Sequence, residues 1–267
     1  MRDILQEIVA RKRDEVTARK EVITPRFLYS QVEKLLESDE RPHLSMRENL
    51  ARSSSGIIAE FKRKSPSKGW IHADLRPEDV VPAYAAAGAS AISILTDAFY
   101  FGGDQAFIRR VRPMVPCTPV LRKDFIIDEY QLFEACIIGA DAVLLIAADL
   151  QKVECRSLLQ TAHQLGLEVL LEIHDVHELD YVSPEVDMLG VNNRHLGSFH
   201  TDVQQSFRIA EQLPGDMILV SESGISDPKT VLELRAAGFR GFLIGETFMR
   251  EADPGEALSN FIRQLQS

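Results

Sequence analysis

From Gly56 onward the chain alternates between short apolar runs and segments with helical spacing, and this alternation restricts its fold more than any other feature. The apolar runs are Ile57–Phe61, Ala91–Leu95, Pro119–Leu121, Ala142–Ala147, Val169–Ile173, Met188–Val191, Met217–Val220 and Phe242–Ile244. Between most of them lie helix-like stretches such as "RPEDVVPAYAAAG", "DEYQLFEACIIG", "LQKVECRSLLQTAHQLG" and "DPKTVLELRAAG". These close on Gly88, Gly139, Gly166 and Gly238, the residue type that most easily takes the left-handed conformation ending a helix. Strand and helix in alternation imply parallel strands buried on both faces. Eight such runs predict a (β/α)8 barrel, an α/β TIM barrel. An open doubly wound sheet is the alternative, but it usually carries a Gly-rich phosphate loop after its first strand, and neither G-x-G-x-x-G nor G-x-x-x-x-G-K-[ST] occurs here.

Catalytic groups of such barrels lie at the carboxyl ends of the strands. The first run ends in Glu60 and Lys62, and the third, in "TPVLRKDF", leads to Lys123. Glu172 closes the fifth, and Asn192, Asn193 and Arg194 the sixth. Ser221, Glu222, Ser223 and Gly224 end the seventh, Gly245 and Glu246 the eighth. Side chains alternate across a strand, so Glu60 and Lys62 share a face, while Asn193 faces away from Asn192. Burying one charge alone is costly. Two lysines and two glutamates converging from several strands are therefore expected to pair in one pocket, although a purely structural ion network would use the same residues. Gly224 and Gly245 stand where backbone N–H groups could approach a phosphate, and the Glu246 side chain would repel that anion. In the loop "KRKSPSKG", Arg63 and Lys64 are expected in solvent; Lys62, read as still part of the strand, has the better claim to an anionic ligand. "HDVHE" at His174–Glu178 matches no zinc motif, so no metal site is expected. Ser223 has no histidine partner in the sequence pattern and is not read as a nucleophile.

A net charge of −10 argues against nucleic acid as a partner. No apolar run approaches the roughly 20 residues of a membrane span, and the charged start "MRDILQEIVARKRDEV" has no secretory core. Cys117, Cys136 and Cys155 are widely spaced and odd in number, which points to free thiols in a reducing, cytoplasmic setting. Residues 1–55 read as a helical extension of a single barrel domain spanning 1–267. Ile4, Ile8, Val9 and Val16 form one stripe, and Phe27, Leu28 and Leu35 a second behind a Thr24 cap. "ENLARSSSG" reads as a polar approach to the first strand. The extension is expected beside the barrel mouth, helping to cover the ligand.

In order, "IIAEFKRKSPSKG", "LRKDF", "LLEIHD", "GVNNRHL", "VSESGI" and "FLIGETFM" resemble the successive motifs of the indole-3-glycerol phosphate synthase family of tryptophan biosynthesis. The resemblance covers nearly the whole chain, and no second fused barrel is expected. It implies a carboxy-lyase that converts 1-(2-carboxyphenylamino)-1-deoxyribulose 5-phosphate to indole-3-glycerol phosphate without metal or organic cofactor. By motif, Lys123 resembles the acid of ring closure and Glu172 the base of dehydration. Lys62 resembles a lysine on the substrate's anionic groups, Glu60 and Asn192 its polar partners, and Arg194 the arginine near the anthranilate carboxylate. Ser65, Ser223, Gly224, Gly245 and Glu246 fall on substrate and phosphate loops; the family often has serine where Glu246 stands. Phe101 and Phe125 are expected as walls for the aromatic ring. The implied partners are this small molecule and other enzymes of the pathway. Two further readings stay open on sequence alone. One is a sugar-phosphate isomerase on the same barrel, whose chemistry usually wants a Cys/Asp or Asp/Asp pair. The other is a barrel that only binds a phosphate ligand.

Overall fold

Apolar runs flanked by Gly-closed helices form parallel strands, because each crossover helix returns the chain to the same edge of the growing sheet. The computed structural model describes residues 4–38, 44–195, 200–213, 215 and 217–266. Its strands are β1 (Ile57–Phe61), β2 (Ala91–Leu95), β3 (Val120–Lys123), β4 (Ala142–Ile146), β5 (Glu168–Ile173), β6 (Met188–Asn192), β7 (Ile218–Glu222) and β8 (Phe239–Ile244). They close into one parallel barrel in which β1 pairs with both β2 and β8. It is the expected TIM barrel.

Several strands outrun their apolar runs. β3 reaches Lys123, β6 reaches Asn192 and β7 reaches Glu222, with Leu95 opposite Lys123 and Asn192 opposite Glu222. Ladder hydrogen bonds do not depend on side-chain polarity, so the strands continue where the interior turns from core to pocket. At the first strand the opposite holds: β1 stops at Phe61, and Lys62 lies just past it.

Strand alternation divides the core in two. Ile57, Ala59, Phe61, Ile92, Ile94, Val143, Leu145, Val169 and Leu171 face the helices. Ile58, Ala91, Leu121, Ala142, Leu144, Leu170, Met188, Val220 and Leu243 fill the barrel. The floor of the barrel is closed by a helix, α3 (Met46–Arg52), in the segment expected to be a polar approach. Ser45 caps it by accepting from Glu48 N at 3.0 Å, and Met46 and Leu50, one turn apart, are fully buried in the barrel cluster. The i, i+4 apolar pair was hidden among polar neighbours.

Of the extension, residues 1–3 and 39–43 lie outside the described part. Helix α1 (Ile4–Val22) buries Leu5, Ile8, Val9, Lys12 and Val16, one face at helical spacing. Helix α2 (Pro25–Glu37) starts at the expected Thr24 cap and buries Leu28 and Val32, leaving Phe27 exposed. The charge in the first stripe is the unexpected part. Lys12 is 2% exposed, and its Nζ lies 2.7 Å from Asp97 and 3.0 Å from Asp124. Asp124 also meets Arg122 at 3.0 Å and accepts from Thr96 Oγ1 at 2.7 Å. Burial opposes the charge on both partners. Mutual attraction wins, so the Lys12 pKa is raised and that of Asp124 lowered. Removing one member of a buried pair strands the other. Lys12→Met is therefore expected to cost roughly 3–5 kcal/mol, read as a lower urea midpoint at unchanged slope.

Candidate active site

The carboxyl ends of the strands and α1 enclose a cavity of about 480 Å³, within the usual range for small-molecule sites. One wall is apolar: Leu5 and Ile8 from α1 with Leu95, Phe101, Phe125 and Ile146. The Phe101 and Phe125 rings stand 6.1 Å apart. The other wall carries Glu60, Lys62, Lys123, Glu172, Asn192, Arg194 and Glu222.

The four charges expected to meet do line one cavity, in two groups. Lys62 Nζ lies 2.5 Å from Glu60 Oε1. Lys123 Nζ bridges two carboxyls, Glu172 at 2.9 Å and Glu222 at 3.1 Å. Glu222, the last residue of β7, had been noted at a strand end and given no role. Nothing in the local sequence distinguishes it; its register opposite Asn192 does. Two glycines make room for these groups. A Cβ on Gly190 would stand 2.3 Å from Glu222 Oε1, and one on Gly245 would stand 2.5 Å from Glu60 Oε1.

Unequal surroundings separate the two carboxyls on Lys123. Burial would raise Glu172, but Lys123, the His174 ring at 3.2 Å and the Asn192 amide at 3.1 Å hold it well below the ordinary carboxylate range. Glu222 is equally buried and has Lys123 alone. Burial and the neighbouring Glu172 charge push its pKa up to about 8. The site thus places a charged ammonium between a carboxyl whose pKa is lowered and one whose pKa is raised. Lys123 itself is pushed above its ordinary value, since the glutamates outweigh the burial that opposes its charge.

Asn192 also accepts from Arg194 N at 3.0 Å, and Arg194 Nη1 donates to Ser67 Oγ at 3.1 Å. Asn193 points away, as alternation requires, and is a buried brace. Its Nδ2 donates to Ser221 Oγ at 3.0 Å and to the Ser223 carbonyl at 3.1 Å. That brace holds Ser223 and Gly224 in consecutive left-handed conformations, φ 68° and 78°. For serine this is strained by roughly 1–2 kcal/mol, and such strain concentrates at functional loops. Glu246 heads a short helix after β8 and pairs with Lys68, with Arg194 at 3.9 Å. Burial would raise its pKa, but Lys68, Lys62 and Arg194 lower it.

Three expectations for the basic loop change. Ser65 is buried and does not line the cavity, whereas Pro66, Ser67 and Lys68 do. Arg63 and Lys64 are not free in solvent. Arg63 Nη2 donates to the Gly102 carbonyl at 2.8 Å and Lys64 Nζ to that of Phe99 at 2.7 Å. The backbone carbonyls after β2 thus hold the loop over the mouth. His174 and His177 diverge, the latter 93% exposed, and no cluster of His, Cys, Asp and Glu among the described residues could hold a metal.

Residues 5–264 match the family model for indole-3-glycerol phosphate synthase. The chain belongs to that family. Its function is the family's, that of a carbon–carbon lyase of tryptophan biosynthesis. Among proteins of that name, the one from Bacteroides thetaiotaomicron is 59% identical over the full length of both chains. The one from Acidithiobacillus ferrooxidans is 43% identical over 97% of this chain and 98% of its own. The tryptophan synthase alpha subunit of Legionella pneumophila shares the barrel alone, with a TM-score of 0.60, 15% identity, and 83% of this chain and 96% of that one covered. Membership in the synthase family removes the isomerase and binding-only readings. No helix among the described residues is long and apolar enough to cross a membrane.

Proposed function

We propose that this cavity closes the indole ring of 1-(2-carboxyphenylamino)-1-deoxyribulose 5-phosphate, with Lys123 as the acid and Glu172 as the base. One observation carries the division of labour: Lys123 Nζ sits between two buried carboxyls, of which Glu172 has the His174 ring and the Asn192 amide beside it as well, and Glu222 has neither. As the aromatic carbon attacks the ketone, charge develops on the carbonyl oxygen, and the ammonium donates a proton to it. Carbon dioxide leaves because the ring-closed iminium takes the electron pair of the broken bond. Dehydration then needs an acid at the departing hydroxyl and a base for the ring proton. Glu222, whose pKa is raised, suits the first task; Glu172, whose pKa is lowered, suits the second. Lys62, held by Glu60, and Arg194 meet the substrate's anionic groups, and Asn192 orients Glu172. Phe101, Phe125, Leu5 and Ile8 flank the aromatic ring. Of the helical extension to the single barrel domain, α1 acts as the cover, through Ile4, Leu5 and Ile8. The acidic chain and its free thiols support a cytoplasmic enzyme with a small-molecule partner and no nucleic acid. Supplying the proposed substrate and following indole fluorescence tests the reading; no fluorescence with intact protein would sink it.

The phosphate is assigned to the backbone N–H groups of Ser223, Gly224, Gly245 and Glu246, with Lys68 nearby as a cation. Gly224→Asp is expected to weaken binding of the fluorescent product at least about tenfold, since a carboxylate beside the anion repels it. Inorganic phosphate should compete with substrate in the unaltered protein. Gly245→Asp should do the same and disturb Glu60 as well, because its Cβ lands on that carboxyl. Unchanged product affinity in both variants would exclude the assignment.

A further inference from the structure

We propose that His174 is a positioning residue: a buried imidazolium that clamps Glu172 in its ionised form and fixes the direction of its free lone pairs. The inference rests on the reading of Glu172 as the base. His174 follows β5 by one residue, and its side chain is 11% exposed. Its Nε2 lies 3.2 Å from Glu172 Oε1 and its Nδ1 3.8 Å from Glu178 Oε2. The backbone is tied on both sides: its N–H donates to Glu178 Oε2 at 2.6 Å, and its carbonyl accepts from the Gln205 amide. Glu178 stands on the turn Val176–Tyr181, which Asp175 caps by accepting from His177 N at 2.9 Å. The charged groups facing the ring are thus Glu172 from the strand end and Glu178 from the turn. The helix Gln204–Ala210 meets it with the uncharged Gln205.

A ring between two carboxylates is favoured in its doubly protonated form. Burial opposes this, yet the glutamates push the His174 pKa up to about 10. The consequence lies one residue pair away. Glu172 and Glu222 share Lys123, but only Glu172 has this second cation. The imidazolium therefore decides which of the two carboxyls gives up its proton. It also lies beside Oε1, to which Asn192 donates, leaving Oε2 for Lys123 and the substrate.

The test is His174→Asn, which keeps a hydrogen-bond donor and removes the charge, alongside Glu178→Gln and ring-labelled NMR of the unaltered enzyme. In the unaltered enzyme at pH 8 the His174 ring should show the shifts of an imidazolium, and Glu178→Gln should lower its titration by at least one pH unit. In His174→Asn the acid limb of kcat against pH should move up by at least one unit, with kcat falling across that limb and KM within about twofold. A purely structural role would lower the melting temperature and leave the limb in place. A neutral ring at pH 8 in the unaltered enzyme, or an acid limb unmoved in His174→Asn, overturns the proposal. Full activity in Glu172→Gln would instead overturn the assignment of the base, and the NMR titration distinguishes that failure from this one.

Discussion

Replacing Lys123 by methionine is expected to lower kcat by at least about 10²–10⁴-fold, with substrate left intact at the end of a single turnover. Methionine keeps the length of the side chain and removes both the proton and the charge. The first bond-forming step then has no acid at the ketone oxygen. The loss extends to the neighbours. Lys123 is the largest influence holding Glu172 ionised and, among the described residues, the one cation paired with Glu222, at 3.1 Å. Without it both buried carboxyls move up in pKa, and Glu172 is left with His174 and Asn192 against its burial. Binding should suffer far less than turnover, because the phosphate loops and the ring wall are untouched. Rapid-quench analysis should find only substrate. Turnover within about tenfold of the unaltered enzyme would remove Lys123 from the acid role.

Glu172→Gln is expected to lose a comparable factor, about 10²–10⁴ in kcat, but at a different step. Lys123 and Asn192 donate to the Glu172 carboxylate, and the His174 ring lies 3.2 Å from it. An amide offers them one oxygen only, so the base is lost and its surroundings are partly unsatisfied. The acid of ring closure survives. With residue 172 neutral, the repulsion that raises Glu222 disappears, and Glu222 gives up its proton to pair with Lys123, which stays charged. Ring closure and decarboxylation can then proceed while dehydration stalls. A dihydro intermediate should accumulate under rapid quench. If Glu172→Gln stops at the same unreacted substrate as Lys123→Met, the two residues do not divide the steps.

The barrel and most of its catalytic wall were legible in the chain because parallel strands buried on both faces must be apolar runs, and because polar residues at their carboxyl ends stand out against them. Glu60, Lys62, Lys123, Glu172 and Asn192 were readable in this way, and all line the cavity. Three features were not. Helix α3 has two apolar residues among polar ones, and only the open floor of the barrel makes them core. Lys12 sits in an apolar stripe, where a lysine reads as a solvent charge until Asp97 and Asp124 arrive beside it. Ser65 looked equivalent to its loop neighbours, yet the loop's path buries it and turns Ser67 and Lys68 to the cavity.

Period and position along each strand are local properties, so the sequence alone determined the alternation, the closed parallel barrel and the strand ends where chemistry resides. The location of the proton is not local. Glu172 and Glu222 are the same residue type at the same place on their strands, and both are buried. What separates them is distance: Lys123 reaches both, across 49 residues of chain in the case of Glu172. His174 and Asn192 reach only Glu172. Coulomb energy falls with separation in space and is strong where water is excluded. Only the tertiary structure, which sets those separations and that exclusion, could lower the pKa of one glutamate and raise that of the other.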